Sequence, residues 1–381
     1  MKILMFITVY LPSPIYGGPS TVAQQQVKEL VKRGHDVTVV TSNIYSFDPE
    51  KTLDEESSVL DNVKILYFKS SYIKPKFSLI HSEAFIKWYK NNIDKYDLVH
   101  IHFARELMPI NAARIAKKKG VPYFLQTHGM LNNQTGVRAM IDKLLIKDIL
   151  RSARGVLVLQ ETEKEVIEKI EKDSNTVILP NGIELNENNP KWKNSLIFDK
   201  KILFLARLHP RKKVLDFIEM ANILTKKGLK LNYRIVGPDG GDLHLAQRKV
   251  ENYGIDKVVE FVGAVSSKQA YDEYANSSVY ILPSEREPFP MSVLEALNVG
   301  VPTIVTTGIH NKRILESYDS VIITEPNPAS LSNAVESILS NKETAKRLSS
   351  NGKKLIEEKL NINKVIDQLE QIYETSGVAY E

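Results

Sequence analysis

Two glutamates flank a proline-containing stretch in the second half of the chain, EPFPMSVLE, where Glu287 and Glu295 lie eight positions apart. A residue before proline avoids helical angles, so Glu287 is predicted to lie in a loop, whereas Pro290 suits the first position of a helix. The N–H groups at such a helix start have no partner within the helix and can bind an anion. The acids beside them can accept hydrogen bonds from sugar hydroxyls. An ordinary helix with two solvated acids is the alternative interpretation.

A second candidate group is basic and lies in FLARLHPRKK, residues 204–213. Arg207 directly follows a predicted strand, and Lys212 stands at a predicted helix start. A cation at the start of a helix is unfavourable unless an anion neutralises it. An arginine fork and a lysine point charge around a strand end can together hold a diphosphate. A basic surface loop is the alternative.

Two further candidates lie in the first half of the chain. Gly17 and Gly18 separate the first predicted strand from a helix, and such glycines let the backbone approach a phosphate or a sugar closely. They do not form GxGxxG, and a plain turn fits them too. His128, in QTHGM, ends a predicted strand, where a structural histidine is the alternative to a functional one.

Short apolar segments alternate with amphipathic segments along the whole chain. This alternation predicts an α/β fold with two doubly wound, Rossmann-like domains facing across a cleft. All four candidate groups fall at the carboxyl ends of predicted strands, where ligands bind in such sheets. Strands are predicted near 2–9, 36–41, 63–69, 97–102, 121–127, 155–159, 201–206, 231–236, 258–262, 278–282, 302–306 and 320–323. Helices are predicted near 20–33, 79–93, 107–119, 139–153, 161–170, 212–227, 242–252, 267–275, 291–299 and 329–340.

The length of 381 residues suggests two domains, and an asparagine-rich stretch without periodicity at 181–200 is the predicted linker. We place the first domain at residues 1–190 and the second at 198–357. Residues 358–381 form a C-terminal segment, and the tail from 342 onward is predicted to be two helices broken near 360–363.

Composition excludes several classes of protein. The chain has no cysteine, which rules out disulfides and thiolate metal sites, and its net charge of +5 gives no sign of nucleic-acid binding. The apolar start, MKILMFITV, is too short to span a membrane and lacks a signal-cleavage pattern, so a cytoplasmic location is expected. Residues 141–154 form a basic amphipathic segment that predicts peripheral contact with the inner face of the membrane, with a core-facing helix as the alternative.

Taken together, these motifs resemble the retaining glycosyltransferases of family 4, which have the GT-B fold. EPFPMSVLE is similar to the E-x7-E motif of that family, and residues 206–213 are similar to its basic motif. Arg207 and Lys212 match the basic motif, whereas Lys213 stands where the family usually has glycine. The GG loop, THG and PNGIE (180–184) come in the family's order, so the resemblance spans nearly the whole chain.

The resemblance implies roles for the residues of the second domain. Arg207 and Lys212 would neutralise the diphosphate of a nucleotide-sugar donor, and Glu295 would hold ribose hydroxyls. Glu287 would bind the donor sugar and the phosphates together with the backbone N–H groups of Phe289, Met291 and Ser292.

For the first domain, the resemblance implies binding of the acceptor, with the last helix, 361–376, returning to this domain. His128 would lie beside the transferred sugar and, with Glu287, Arg207 and Lys212, would complete the catalytic group. Gly17 and Gly18 would lie near the diphosphate and the acceptor.

The expected function is therefore transfer of a sugar, with retention, from a nucleotide-diphosphate donor to a glycan, glycolipid or lipid-linked acceptor in polysaccharide or glycoconjugate biosynthesis. No Asp-x-Asp motif accompanies the site, so neither a catalytic metal nor another cofactor is expected. Two alternatives stay open: another GT-B enzyme, such as a sugar-nucleotide epimerase, and an inactive sugar-binding module.

Overall fold

The computed structural model describes residues 1–13, 18–46, 51–72, 80–132, 134, 136, 140, 145–193 and 200–375. Contacts divide the chain into an N-terminal unit, Met1–Gly182 with Ile362–Glu381, and a C-terminal unit, Ile183–Asn361. The chain thus leaves the first unit a few residues before the predicted boundary at 190. Its last described helix belongs to the N-terminal unit.

The N-terminal unit contains an eight-stranded sheet in the order β10-β9-β8-β7-β1-β2-β4-β3. Its neighbouring strands are parallel except for the pair β3 and β4. A separate two-stranded sheet pairs β5 with β6. The sequence analysis did not predict β3 or β10. The strands are β1 Lys2–Phe6, β2 Asp36–Ser42, β3 Ser57–Leu60, β4 Val63–Phe68, β5 Ser71–Tyr72, β6 Ile80–His81, β7 Leu98–His102, β8 Tyr123–Gln126, β9 Gly155–Val158 and β10 Thr176–Ile178.

The C-terminal unit contains a six-stranded, all-parallel sheet in the order β13-β12-β11-β14-β15-β16. This is the order of a Rossmann-type sheet. The strands β11 to β13 extend the sheet to one side and β14 to β16 extend it to the other, so the strand order reverses between β11 and β14. Each of these strands was predicted. They are β11 Lys201–Leu205, β12 Asn232–Val236, β13 Val259–Gly263, β14 Val279–Leu282, β15 Thr303–Thr306 and β16 Ile322–Thr324.

Helices connect the strands in both units. The predicted helix near 79–93 begins only at Glu83, because Ser82 caps it by accepting a hydrogen bond from the Phe85 N–H and the two residues before it pair as strand β6. The predicted helix near 139–153 lies partly outside the described residues. The helices are α1 Gly18–Lys32, α2 Glu83–Asn92, α3 Leu107–Lys119, α4 Lys147–Ser152, α5 Glu161–Ile170, α6 Val214–Lys226, α7 Leu243–Tyr253, α8 Ser267–Ala275, α9 Met291–Val299, α10 Lys312–Ser317, α11 Pro328–Ser340, α12 Lys342–Leu355 and α13 Ile362–Thr375.

The central strands show why both sheets are covered on two faces. Every residue of β7, β8, β9, β14 and β15 is buried, as expected for parallel strands with helices on each side. In the N-terminal unit, two apolar clusters cover the sheet, and one of them includes Ile366 and Leu369 of α13. The predicted fold class, two parallel-sheet α/β domains, is confirmed.

Candidate active site

Two loops of opposite charge meet where the strand order of the second sheet reverses. One loop follows β11 and the other follows β14. The Glu285 N–H donates to the Arg211 carbonyl at 2.9 Å, and Lys213 Nζ lies 2.9 Å from Glu285 Oε1. Lys212 Nζ donates to Glu287 Oε2 at 2.6 Å. The structure therefore brings together the basic and acidic motifs that are separated by some seventy positions in the sequence.

The ion pair between Lys212 and Glu287 is the most enclosed contact of these loops. Only 17% of the lysine side chain and 9% of the glutamate side chain are exposed. Arg211 adds a longer contact, 3.8 Å from its Nε to the same carboxylate oxygen. The sequence analysis assigned the lysine to a diphosphate and the glutamate to a sugar. Because the two side chains form an ion pair, each one partly neutralises the charge that the other offers to a ligand.

Backbone contacts fix the position of Glu287. Its N–H donates to the Gly308 carbonyl at 3.1 Å, and its carbonyl accepts from the His310 N–H at 2.8 Å. Gly308 makes this approach possible, since a Cβ atom on it would lie 2.5 Å from the Ser284 carbonyl oxygen. The acid is thus held by the chain on both sides and not only by its side chain.

Helix α9 supplies an open helix start beside these loops. It begins at Met291, with Pro290 as an extended N-cap residue and not as the first helical residue that the sequence predicted. No side chain of the described residues caps the helix, and its first backbone hydrogen bond runs from the Val293 N–H to the Pro290 carbonyl at 3.1 Å. Among the described residues, the N–H groups of Met291 and Ser292 have no hydrogen-bond partner. Such N–H groups form an anion site.

Glu295 lies one turn further along α9, against a buried pair of tyrosines. Its Oε2 accepts from the Tyr274 hydroxyl at 3.1 Å, and the Tyr274 and Tyr280 rings meet edge to face at 5.1 Å. The Tyr280 hydroxyl donates to Ser292 Oγ at 2.9 Å. Burial raises the pKa of Glu295 to about 7, although the Tyr274 hydroxyl opposes the shift. The carboxyl group therefore changes its protonation state near neutral pH.

Arg207 lies at the end of β11, and its side chain is exposed. A Cβ atom on Gly240 would lie 2.8 Å from Arg207 Cγ, so the aliphatic part of the arginine packs against the loop after β12. The Leu208 N–H donates to the Pro238 carbonyl at 2.9 Å and joins the two loops. Phe289 is buried beside the helix start. All donor-binding residues predicted in the second domain thus lie on loops or helix starts at one edge of one sheet.

His128 occupies a tight turn at the end of β8 in the N-terminal unit. The Met130 N–H donates to the Thr127 carbonyl at 2.9 Å, and the two central residues have left-handed angles, φ 51° for His128 and 71° for Gly129. His128 is buried, and its ring lies parallel to that of His102, edge to edge, with 4.9 Å between centroids. Gly18 begins α1. Gly17 lies outside the described residues.

Three residues on the turns and loops that carry the candidate groups have a strained backbone. His128, Lys213 and Arg286 all have positive φ values, 51°, 57° and 52°. Such angles are uncommon for residues with a side chain, and they are found where surrounding contacts impose them, often at functional sites. Lys213 follows a 3-10 turn, Pro210–Lys212, and α6 begins at Val214. The lysine thus adopts the conformation for which glycine is best suited.

The sequence analysis missed three residues that contact the candidate site residues or their turns: His102, Glu163 and Tyr274. His102 lies two positions after His100 on β7, so the spacing HIH places both histidines on one face of a strand that pairs with β8. That spacing was a usable signal. Nothing local marks Glu163 or Tyr274, because their contacts join elements distant in the sequence.

The comparisons with known proteins show the family of the chain. The model for glycosyltransferase family 4 matches residues 16–187, and the model for glycosyl transferases group 1 matches residues 188–355. The chain therefore belongs to the glycosyltransferases of the GT-B fold, as the resemblance implied. Within the described part of the chain, no helix is long and apolar enough to cross a membrane.

Individual relatives are distant but similar in length. An uncharacterized glycosyltransferase of Methanocaldococcus jannaschii is 24% identical over 98% of both chains. The UDP-Gal:alpha-D-GlcNAc-diphosphoundecaprenol alpha-1,3-galactosyltransferase of Escherichia coli is 25% identical over 94% of both chains. The crystal structure of Anabaena HepE in complex with UDP has a TM-score of 0.78 at 15% identity, covering 98% of this chain and all of that one. At this identity, the structural likeness shows the fold alone.

Proposed function

We propose that the protein transfers a sugar, with retention, from a nucleotide-diphosphate donor to a glycan, glycolipid or lipid-linked acceptor. One observation carries the proposal: cations, an uncapped helix start and a buried acid lie together at the switch point of the second sheet. Arg207 and Lys212 supply positive charge, and the N–H groups of Met291 and Ser292 have no partner among the described residues. These groups suit a diphosphate.

The proposal assigns a role to each of the remaining candidate residues. Glu295, in the second turn, would accept hydrogen bonds from ribose hydroxyls. Glu287, together with the N–H groups from Phe289 to Ser292, would contact the donor sugar and the phosphates. In the N-terminal unit, His128 would lie beside the transferred sugar, and Gly17 and Gly18 near the diphosphate and the acceptor.

The relatives support a class of substrates. The Escherichia coli relative is named for a UDP-sugar donor and a diphosphoundecaprenol acceptor, and the Anabaena structure contains UDP. We therefore propose a uridine nucleotide as the first donor to test and a lipid-linked glycan as the first acceptor. Peripheral membrane contact through residues 141–154 belongs to the same proposal. Part of that segment lies outside the described residues.

Chemistry at the site would depend on charge and position. The departing diphosphate gains negative charge as the glycosidic bond breaks, and preorganised cations and N–H donors stabilise that charge. We propose that they do so without a metal ion. Among the described residues, no cluster of three or more His, Asp or Glu side chains could hold one.

The test starts with thermal shifts in UDP, GDP, ADP and their sugars, followed by a transfer assay with the stabilising donor and short-chain lipid-diphosphate glycans. An anomeric proton spectrum of the product should show the configuration of the donor sugar. Activity should persist in EDTA. Conversion of the sugar without an acceptor would indicate an epimerase instead, and stabilisation by no nucleotide would contradict the proposal.

A further inference from the structure

A column of three buried histidines runs beneath the turn that carries His128. His100 stacks on His102 with 5.0 Å between ring centroids, and the parallel rings of His102 and His128 lie edge to edge with 4.9 Å between centroids. All three side chains are buried. Burial lowers the pKa of His128 to about 3 and that of His100 to about 4, and it holds the pKa of His102 well below its usual value. All three rings are therefore neutral near pH 7, and each carries one ring proton.

His100 has hydrogen-bond partners of its own, and these separate it from the other two rings. Its Nε2 lies 3.0 Å from Gln126 Oε1. Its Nδ1 lies 2.5 Å from the Tyr373 hydroxyl. Both nitrogens of His100 are occupied, and neither contacts His128.

The second pair has only one hydrogen bond to share. His102 Nδ1 and His128 Nε2 lie 2.7 Å apart, so one of these two nitrogens carries a proton and the other accepts it. His102 Nε2 is buried, and no group of the described residues is its hydrogen-bond partner. If His128 were the donor, the proton of His102 would have to be on that Nε2, as an N–H group buried without an acceptor. Such orphaned N–H groups are rarer in proteins than unpaired acceptors.

The favoured arrangement therefore places protons on Nδ1 of both rings. His102 Nδ1–H donates to His128 Nε2, and His128 presents Nδ1–H. Among the described residues, no partner occupies this Nδ1.

Glu163 holds the residues on either side of His128. Its Oε1 accepts from the Thr127 hydroxyl and from the Gly129 N–H, each at 2.5 Å, and its Oε2 accepts from the Leu159 N–H at 2.7 Å. The glutamate is buried in the first turn of α5. It thus holds the residues before and after His128 in the left-handed turn.

We infer that His102 and Glu163 are positioning residues that hold His128 as a hydrogen-bond donor, with its proton on Nδ1 and its Nε2 occupied. This inference rests on the proposed function for one point: the group that receives the Nδ1–H bond is an oxygen of the sugar donor. A histidine held in this way has no available lone pair, so it does not act as a general base. It donates to a hydroxyl or phosphate oxygen, and no bond forms or breaks at the ring.

The deciding experiment is a long-range proton–nitrogen spectrum of the full-length protein labelled with 15N-histidine, at pH 7.5. Variants of His100, His102 and His128 assign the signals. The expected result is Nδ1–H for both His128 and His102. A proton on Nε2 of His128 overturns the inference, whatever the enzyme transfers.

Two variants of His102 then separate positioning from packing. His102→Phe keeps a flat ring and removes the donor, so turnover should fall at least about tenfold, toward the loss seen when a preorganised donor is removed. His102→Asn places an amide N–H near the former Nδ1 and should restore turnover to within about threefold of the unchanged enzyme. UDP affinity should be unchanged in both.

His100→Asn is the matched control, since it removes a stacked ring from the same strand without touching the His102–His128 hydrogen bond. It should lower the melting temperature and leave the His128 tautomer unchanged. Equal turnover in folded His102→Phe and His102→Asn would contradict the role of His102. If no nucleotide sugar supports transfer, the proposed function fails, and the spectrum still decides the tautomer.

Discussion

At the scale of single residues, the contact between Lys212 and Glu287 changes how each side chain should behave. The lysine that we propose binds a diphosphate is here neutralised by an acid that is itself mostly buried. The nearby pair of Lys213 and Glu285 is more exposed, with 31% and 43% of the side chains accessible. The two pairs have the same chemistry and similar lengths. Comparing variants of the two pairs therefore measures how the ion pair between Lys212 and Glu287 affects ligand binding.

We predict that Glu287→Gln tightens the binding of free UDP, on the order of fivefold, because about 1 kcal/mol of ion pairing no longer opposes the approach of the diphosphate to Lys212. Turnover should nevertheless fall, since the charge beside the donor sugar is lost. Lys212→Ala should weaken UDP binding by about 2–3 kcal/mol. Calorimetry measures UDP affinity in Glu287→Gln and Lys212→Ala, with Glu285→Gln as the control, and a transfer assay measures turnover. Weaker UDP binding in Glu287→Gln would contradict the competition.

A second prediction at this scale concerns Glu295, whose pKa is raised to about 7 by burial. Ribose hydroxyls are held better by a carboxylate, which accepts at both oxygens, than by a protonated carboxyl group. Affinity for UDP should therefore increase as pH rises from 6 through 8, and binding should release protons near pH 7. Calorimetry in two buffers of different ionisation enthalpy measures the release. Glu295→Gln should abolish it, and an unchanged pH dependence in that variant would assign the titration to another group.

At the scale of elements, α13 joins the N-terminal unit through apolar packing and through polar contacts centred on one arginine. Arg33, which follows α1, contacts Asp367 Oδ1 at 2.8 Å and Glu370 Oε2 at 2.7 Å and donates to the Asn363 carbonyl at 2.8 Å. Only 21% of its side chain is exposed. The Tyr373 hydroxyl reaches His100 from the same helix. Helix α13 thereby contacts β7, the strand that carries His100 and His102.

We predict that Arg33→Ala lowers the free energy of unfolding of the N-terminal unit by about 2–3 kcal/mol, since four charge-assisted hydrogen bonds are lost, to Glu29, Asp367, Glu370 and the Asn363 carbonyl. Lys346→Ala, which removes an exposed i,i+3 pair with Glu343, should cost less than about 1 kcal/mol. Urea unfolding of both variants provides the comparison. Equal losses would mean that Arg33 contributes no more than an exposed ion pair, and that apolar packing and the other polar contacts hold α13.

The same scale shows what the sequence could and could not predict. Every strand of the second sheet was predictable, because each is a short apolar run between turn residues. The strands Ser57–Leu60 and Thr176–Ile178 were not: the first is largely exposed, and the second has only three residues. The helix at α2 was predicted too long because its apolar pattern continues through Ile80, whereas the Ser82 cap sets the true start. Pairing of Lys212 with Glu287 was beyond sequence reasoning, because it depends on how two loops fold back at one sheet edge.

At the scale of the whole molecule, the two units differ in what they offer a ligand. The C-terminal unit concentrates cations and unpartnered N–H groups at one sheet edge, which suits a nucleotide diphosphate. The N-terminal unit places neutral histidines and a buried glutamate at the end of β8, which suits an uncharged hydroxyl-bearing group. The chemistry of each unit thus favours a different part of the proposed reaction.

We therefore predict that UDP alone protects amides of the C-terminal unit and leaves those around His128 unchanged. Hydrogen exchange followed by mass spectrometry should show slower exchange for peptides that contain Met291 and Ser292, whose N–H groups would gain a phosphate acceptor. An intact UDP-sugar should add protection near His128, because the sugar supplies the oxygen that its Nδ1–H contacts. Lys212→Ala, exposed to the same UDP concentration, should lose the first effect. Protection by UDP that is confined to the N-terminal unit would reverse the assignment of nucleotide and acceptor to the two units.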